Sequence, residues 1–308
     1  MLTVSNYHYI RETFDHKYPS IFGVTPSQFE NQIRLLKQSG NFIKISDFLD
    51  HTEEVLSSKD NHYLITFDDG LKEQYEYAIP IMASEEVDGL FFINTINHEQ
   101  KKVSTVHKIH LLRSVVHPKE MMLKILENYP FDYQQEEKES AYKTYRFDTK
   151  ESAEIKYFLN FLMSYEEKEK LIKELFVVYF DEKVVTEQLY MSEQQIKELA
   201  KKRYIGNHTH SHKPLGLFDQ AMVEYELAHS KQFLEQMTGN RISAVSYPYG
   251  NAIASSELVQ KKTKETGHKI GFTAMKGINK EATNLFALSR FDCNDLIGGK
   301  NYDYKRSK

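Results

Sequence analysis

The stretch YLITFDDGLKEQY, Tyr63 to Tyr75, decides how the rest of the chain is read. Its apolar run Tyr63–Phe67 predicts a buried strand, which delivers the adjacent carboxylates of Asp68 and Asp69 to its carboxyl end. Gly70 then permits a tight turn into a helix. Two neighbouring carboxylates repel unless hydrogen bonds or a cation separate their roles, and a bound divalent ion would supply that cation. Taken alone, Asp-Asp-Gly after a strand is more often a turn with a helix N-cap than a metal site.

Working outward, further β-prone runs occur at 2–9, 41–45, 89–94, 204–207, 242–247, 269–274 and 286–291, mostly separated by segments of helical periodicity. This alternation predicts an α/β fold with a parallel sheet or barrel. Thr25, Pro26 and Gln28 form a helix-start signal before Phe29, Ile33 and Leu36, and Gly40 fits the end. Ser192 and Gln195 repeat the capping pattern before Ile196 and Leu199, so that helix leads into the strand at Tyr204. Between Asn94 and Ser192 no core strand is evident. A structureless loop of that length is unusual in a compact domain, so residues 98–190 are expected to form a helical insertion, with the polar segment Asp132–Lys150 as a connection. The expected organisation is one domain, 1–308, interrupted by that insertion.

The 308 residues carry 40 Lys plus Arg against 44 Asp plus Glu, a formal net charge of −4 with no long block of either sign. That balance argues against a dedicated nucleic-acid binder. The lone cysteine, Cys293, has no intrachain partner for a disulfide, and the first twenty residues lack a basic start followed by an apolar run. With no transmembrane segment in sight, the reading is a cytoplasmic protein.

A second stretch, GNHTHSHKPLG (Gly206–Gly216), follows a predicted strand and carries His208, His210 and His212 on alternate positions. By itself it is either a metal-ligating run or a solvated polar loop. With the Asp-Asp pair, though, both stretches leave the carboxyl ends of predicted parallel strands, where sites assemble in barrels and open sheets alike. One carboxylate and two imidazoles, His208 and His212, would leave coordination positions open as catalytic zinc sites do, while His210 points elsewhere. The third stretch, AVSYPYGN (Ala244–Asn251), exits a strand into a turn where Pro248 biases Tyr247 toward extended geometry. The Tyr249 backbone N–H is then a candidate oxyanion donor.

Together, TFDDG, HTHSH and YPYG resemble the motifs of the polysaccharide deacetylase family, the NodB-homology or carbohydrate esterase 4 group. NYHYIRE, FGVTPSQFENQIRLLKQSG, GLFFINT, YMSEQQIKELAKKRYIGNHTHSH and LFALSRFD extend the resemblance over about two-thirds of the chain. The resemblance implies a distorted (β/α) barrel of the NodB-homology type and a hydrolase of carbon–nitrogen bonds other than peptide bonds. Its reaction would be metal-dependent removal of an acetyl group from an N-acetylated carbohydrate, a polysaccharide or glycan precursor. Residue by residue, it implies Asp68 as general base; Asp69, His208 and His212 as ligands of a divalent metal, zinc first, with cobalt or nickel as alternatives; and the Tyr249 N–H at the oxyanion.

The sequence departs from the family pattern in three ways. Ser246 stands where an arginine often pairs with the base, no tryptophan occurs, and Arg290 stands where a histidine acid is expected. Asp68 is therefore expected to lack its usual partner, Tyr247 and Arg290 become candidates for touching substrate, and His8 becomes the candidate proton donor. These departures keep open a catalytically impaired carbohydrate-binding relative, and the shared chemistry keeps open a metal-dependent amidase on a non-sugar amide. In the insertion, His107, His110 and Arg113 share a helix face suited to an anionic sugar or phosphate, or to plain packing.

Overall fold

The computed structural model describes residues 1–303 apart from Phe147. The described residues form two compact units, residues 1–13, 23–102 and 186 onward in the first, and 14–22 with 103–185 in the second.

The strands of the first unit, in chain order, are β1 (Leu2–Tyr7), β2 (Tyr9–Ile10), β3 (Gly23–Val24), β4 (Asn41–Phe42), β5 (His62–Phe67), β6 (Gly89–Ile93), β7 (Ile205–Asn207), β8 (Ala244–Ser246), β9 (Ile270–Phe272) and β10 (Phe291–Asp292). The main sheet runs β10-β1-β5-β6-β7-β8-β9, with β4 also on β5 and every pairing parallel, while β2 and β3 pair separately. Parallel strands are covered on both faces, which is why β6 is buried at every position and the last four residues of β5 are buried too. On one face Tyr7, Phe29, Phe67 and Phe91 pack together, with the Phe67 and Phe91 rings stacked at 4.4 Å. On the other, Val4, Leu64, Leu90, Phe92 and Phe272 fill the core. Register places Tyr7 beside Phe67, Phe67 beside Phe91, Ile93 beside Asn207 and Asn207 beside Val245. The residues that follow these strands therefore emerge along one edge.

The expected helix starts form as read. In the helix Pro26–Lys37, Thr25 Oγ1 accepts from the Gln28 N–H at 3.2 Å and Gln28 Oε1 accepts from the Thr25 N–H at 2.8 Å. Ser192 and Gln195 make the same reciprocal pair before the helix Glu193–Lys201. The strands expected at 204–207, 242–247 and 269–274 are trimmed to the three-residue β7, β8 and β9, and two others are cut back for identifiable reasons. At 286–290 the Phe286 and Ser289 N–H groups donate to the side chains of Asn284 and Asn279, at 2.9 and 2.8 Å, and so are diverted from a ladder; β10 begins only at Phe291. At 41–45 the helix Ile45–Asp50 takes over, its first N–H donating to Asp88 Oδ2 at 3.2 Å.

The second unit consists mainly of helices, among them Thr105–Val115, Pro118–Asn128, Gln135–Thr144, Lys150–Tyr157 and Tyr165–Tyr179. The helix Gln135–Thr144 lies within the segment expected to be a connection; Gln134 and Glu137 cap it reciprocally and Ala141 is its buried contact. Residues 14–22 join this unit through Tyr18 N–H to Ser114 O (3.2 Å) and Ser20 Oγ to His110 O (2.6 Å). Among the described residues no helix is long and apolar enough to cross a membrane.

Gly206 lies in β7 against the Phe92 ring, which an added Cβ would overlap. Gly206→Ala should lower stability by about 1–3 kcal/mol, the usual cost of overpacking, read as a lower urea midpoint at unchanged slope; an unchanged midpoint would show that Phe92 relaxes freely.

Candidate metal centre and its acidic neighbour

Asp68 and Asp69 leave β5 in different directions because the chain reverses at once: Asp69 has φ 77° and Gly70 φ 62°. Left-handed φ also occurs at Thr209 (65°), His212 (57°), Tyr249 (63°) and Gly250 (53°), all in the turns that follow β7 and β8. Each non-glycine in that region costs about 1 kcal/mol or more and persists only where surrounding bonds fix it. Here they do. Asn207 Oδ1 accepts from the Thr209 N–H at 2.8 Å, Glu226 O accepts from the His210 N–H at 3.1 Å, and Glu226 Oε2 accepts from the Ser211 N–H at 2.8 Å. Glu226, itself buried, reaches this loop from the helix Gln220–Thr238.

The turns bring three donors together. Asp69 Oδ1 lies 3.5 Å from His208 Nε2 and 3.3 Å from His212 Nε2, and all three side chains are buried. Those separations are too long for good hydrogen bonds but fit a shared cation, since tetrahedral ligands at about 2.0–2.1 Å from zinc stand roughly 3.4 Å apart. His208 Nδ1 lies 2.8 Å from Ser246 O; a carbonyl only accepts, so Nδ1 carries the proton and Nε2 turns its lone pair toward Asp69 and His212. The residues thus fit a divalent metal. Burial disfavours a charged His208, but the carboxylates of Asp68 and Asp69 outweigh it and raise its pKa, so protons and metal compete for this imidazole.

His210 faces away from the trio. Its Nδ1 lies 2.8 Å from Thr95 Oγ1, and its ring packs edge-on against Tyr225 and His229, at 5.7 and 4.9 Å. With Glu99 and His229 it forms a separate, more exposed group of potential ligands.

The expectation that Asp68 lacks a basic partner is corrected by the structure. Arg290 supplies it: Nη1 donates to Asp68 Oδ1 and Nη2 to Oδ2, both at 2.8 Å, a bidentate pair. The remaining donors go to Thr273 O (2.8 Å), Asn6 Oδ1 (3.0 Å), Thr66 Oγ1 (3.2 Å) and Ser246 Oγ (2.8 Å). Arg290 is only 1% exposed, so the residue expected at substrate is spent internally. Tyr247, the other candidate for touching substrate, is likewise 1% exposed, and its hydroxyl donates to Phe286 O at 3.0 Å. Burial alone would push the Asp68 carboxyl up, but the charge and hydrogen bonds of Arg290, helped by His208 and His8, hold it well below the usual carboxylate range.

Three further side chains complete the edge. Asn6 Nδ2 donates to Asp68 Oδ2 at 3.1 Å. His8 Nε2 stands 3.9 Å from the same oxygen on a partly exposed side chain. Gln74 Nε2 donates to both His8 O (2.9 Å) and Asp68 O (2.7 Å), tying the two turns together. Tyr249 is 39% exposed, with its ring 5.2 Å from that of His212. Asn6, Gln74 and Glu226 were not singled out from sequence, because each acts through a hydrogen bond that only the fold creates.

A parallel α/β sheet with one carboxylate and two imidazoles at its carboxyl edge, beside an Arg-paired carboxylate, defines a class of site suited to holding a metal next to an ionised acid. Comparison with known proteins narrows the class. Residues 147–271 match the family model for polysaccharide deacetylase. The curated Bacillus subtilis (strain 168) protein YxkH, assigned by name to the polysaccharide deacetylases, is 26% identical over 114 residues, 37% of this chain and 40% of that protein. The matched region thus spans about two-fifths of that relative's length.

Solved structures share the fold over far more of the chain. The Streptococcus pyogenes deacetylase PplD in complex with acetate has a TM-score of 0.56 at 16% identity, covering 94% of this chain and 91% of that one. IcaB from Ammonifex degensii gives 0.56 at 16%, over 94% and 91%. The BpsB deacetylase domain from Bordetella bronchiseptica gives 0.56 at 16%, over 94% of each chain. Over residues 147–271 the chain is similar to the polysaccharide deacetylase family, and it shares the α/β fold of these solved structures, a parallel half-barrel sheet with surrounding helices.

Two outcomes are expected of this geometry. By calorimetric titration with zinc, His208→Ala and His212→Ala should each weaken binding severely, whereas His210→Ala should keep affinity within a few-fold; equal losses at all three positions would mean that the loop works as one unit. In metal-free protein, Arg290→Met should cost about 3–5 kcal/mol near pH 7, because it strands a buried carboxylate. With Arg290 present, the depressed folded pKa contributes stability above the unfolded value, about 3.9, and loses it as pH falls through the folded pKa. Without Arg290, burial raises the folded pKa, so the variant's deficit should shrink as urea midpoints are followed from pH 7 down to about pH 4. A deficit independent of pH would place the loss in packing instead.

Proposed function

We propose that this chain is a divalent-metal-dependent deacetylase that removes an acetyl group from an N-acetylated sugar. One observation carries the reading: an ionised, Arg290-paired Asp68 adjoins a buried Asp69, His208 and His212 trio whose spacing suits a tetrahedral metal. Two imidazoles with one carboxylate, leaving a coordination position open, favour zinc, with cobalt or nickel as alternatives. When bound, the metal would supply Lewis acidity toward the amide oxygen and the water.

The chain's own residues account for the rest. Asp68, kept ionised by Arg290, accepts the proton of the attacking water; its low proton affinity is matched by strict orientation through Asn6, Arg290 and Gln74. The Tyr249 backbone N–H, set in a left-handed turn after β8, donates to the oxyanion as the acyl carbon becomes tetrahedral. His8, near Asp68 and partly exposed, returns a proton to the departing amine. Ser246 and Arg290, the two departures that motivated a non-catalytic binder, are accounted for together: the arginine reaches the carboxylate from before β10, and Ser246 accepts one of its hydrogen bonds.

Acetate release from a panel of N-acetylated sugars, by metal-loaded full chain, tests the proposal. Asp68→Asn should lower kcat by about 10²–10⁴, the range for a general base, at unchanged metal content. Absence of acetate release with every divalent metal tried would sink the reading and leave a carbohydrate-binding relative or an amidase acting elsewhere.

A further inference from the structure

The second unit holds a cavity of about 430 Å³, lined on one side by Tyr18 and Phe22 and on the other by residues of the helices Thr105–Val115, Pro118–Asn128 and Lys150–Tyr157. Arg113 reaches it from the first of these helices. The residue is only 6% exposed, yet no hydrogen bond or ion pair joins its guanidinium to another described residue. Burial lowers its pKa, and the more distant charge of Asp148 only partly opposes that effect. The side chain is packed along its length while its guanidinium lines the cavity, where a ligand can take the hydrogen bonds that the protein leaves open.

The neighbouring charges point the same way. Asp148 gives both oxygens to Lys156 Nζ, at 2.8 Å each, and Glu151 Oε1 lies 3.5 Å from Lys119 Nζ. Both acids that line the cavity thus have lysine partners, while Arg113 has none. Two helices also begin at this wall. Pro118–Asn128 starts behind its N-cap His117, and Lys150–Tyr157 starts behind its N-cap Thr149, so each turns the positive end of its dipole toward the same space. His117 and Tyr18 pack edge to face at 5.2 Å, and with Phe22 and Pro118 they give the cavity an aromatic and apolar wall. The volume exceeds what a bare oxyanion needs and lies within the range of about 300–1,000 Å³ typical of small-molecule sites.

We propose that this cavity is a second ligand site, separate from the deacetylase centre, that binds a sugar-sized molecule carrying a phosphate. The guanidinium of Arg113 takes two phosphate oxygens in a fork, the two helix N-termini face the remaining charge, and the ring of the ligand lies on Tyr18 and Phe22. A phosphate suits the site better than a planar carboxylate because the positive groups converge from several directions.

Calorimetric titration of the full chain with glucose 6-phosphate, glucose, glucuronate and inorganic phosphate tests the assignment. Glucose 6-phosphate should bind, inorganic phosphate should bind more weakly, and glucose should not bind measurably. Arg113→Met should weaken glucose 6-phosphate binding at least about tenfold, as loss of a charge-assisted fork does. Asp69→Asn should leave that binding unchanged, which separates this site from the metal centre. In the absence of ligand, Arg113→Met should keep Tm, because no hydrogen bond or ion pair to a described residue is lost. Should that variant fail to fold, Arg113→Lys, which keeps the charge and loses the fork, should keep Tm and still bind more weakly. Failure of glucose 6-phosphate to bind, tighter binding of glucuronate, or wild-type binding by both variants would overturn the proposal, as would a lowered Tm in Arg113→Met without any anion-induced shift in the wild type.

Discussion

The first unit is organised around the buried pair between Asp68 and Arg290. Parallel strands end along one edge, and the side chains there need partners that no sheet hydrogen bond can provide. One guanidinium answers for four strand ends: it bonds Asn6 in β1, Thr66 and Asp68 at the end of β5, Ser246 in β8 and Thr273 after β9, from a position just before β10. Phe92 and Phe272 close over it at 5.9 and 6.0 Å. A buried ion pair is weak evidence for stability, since desolvation offsets much of its attraction. Its clearer effect is specificity. Only with these strand ends in this arrangement are all the donors of Arg290 satisfied, so the pair fixes the edge on which the metal ligands stand.

The same edge concentrates backbone strain. Asp69, Thr209, His212 and Tyr249 all adopt left-handed φ, in turns that immediately follow strands. A strand points its side chains alternately up and down, perpendicular to the direction in which a ligand above its end would lie. Reversing the chain within one or two residues turns a side chain toward that space, and left-handed backbone makes so abrupt a reversal. Asn207, Glu226 and the Asp68–Gln74 bond hold these turns in place. The energy is taken from the sheet and from the helix Gln220–Thr238, both well packed.

Much of this was legible beforehand because it rests on local patterns. Apolar runs located the strands of the main sheet, capping pairs located the helices Pro26–Lys37 and Glu193–Lys201, and the two motifs at strand ends put Asp69, His208 and His212 together. What was not legible depends on separation in sequence. Arg290 and Asp68 are joined by 2.8 Å bonds across most of the chain, and nothing near either residue announces the other. Tyr247 looked available because its motif is aromatic and lies at a strand exit, yet the glycine at Gly271 leaves room for its ring to turn inward; a Cβ there would overlap the hydroxyl. The helix at Gln135–Thr144 was hidden by polarity, having Ala141 as its buried residue.

The serine at 246 and the arginine at 290 are better understood as one arrangement than as two departures. Asp68 lies where side chains from β1, β8 and the segment before β10 converge, and Arg290 reaches it from the last of these. With Arg290 occupying that space, position 246 must be small, and a hydroxyl is favoured there because Nη2 has a hydrogen left to donate. Ser246 also carries the carbonyl that orients His208. The position thus couples the acidic neighbour to the metal ligands: its side chain bonds the arginine that holds Asp68, and its backbone fixes the tautomer of the imidazole facing Asp69. A larger side chain at 246 would have to displace the guanidinium, and with it the carboxylate, before it touched any ligand.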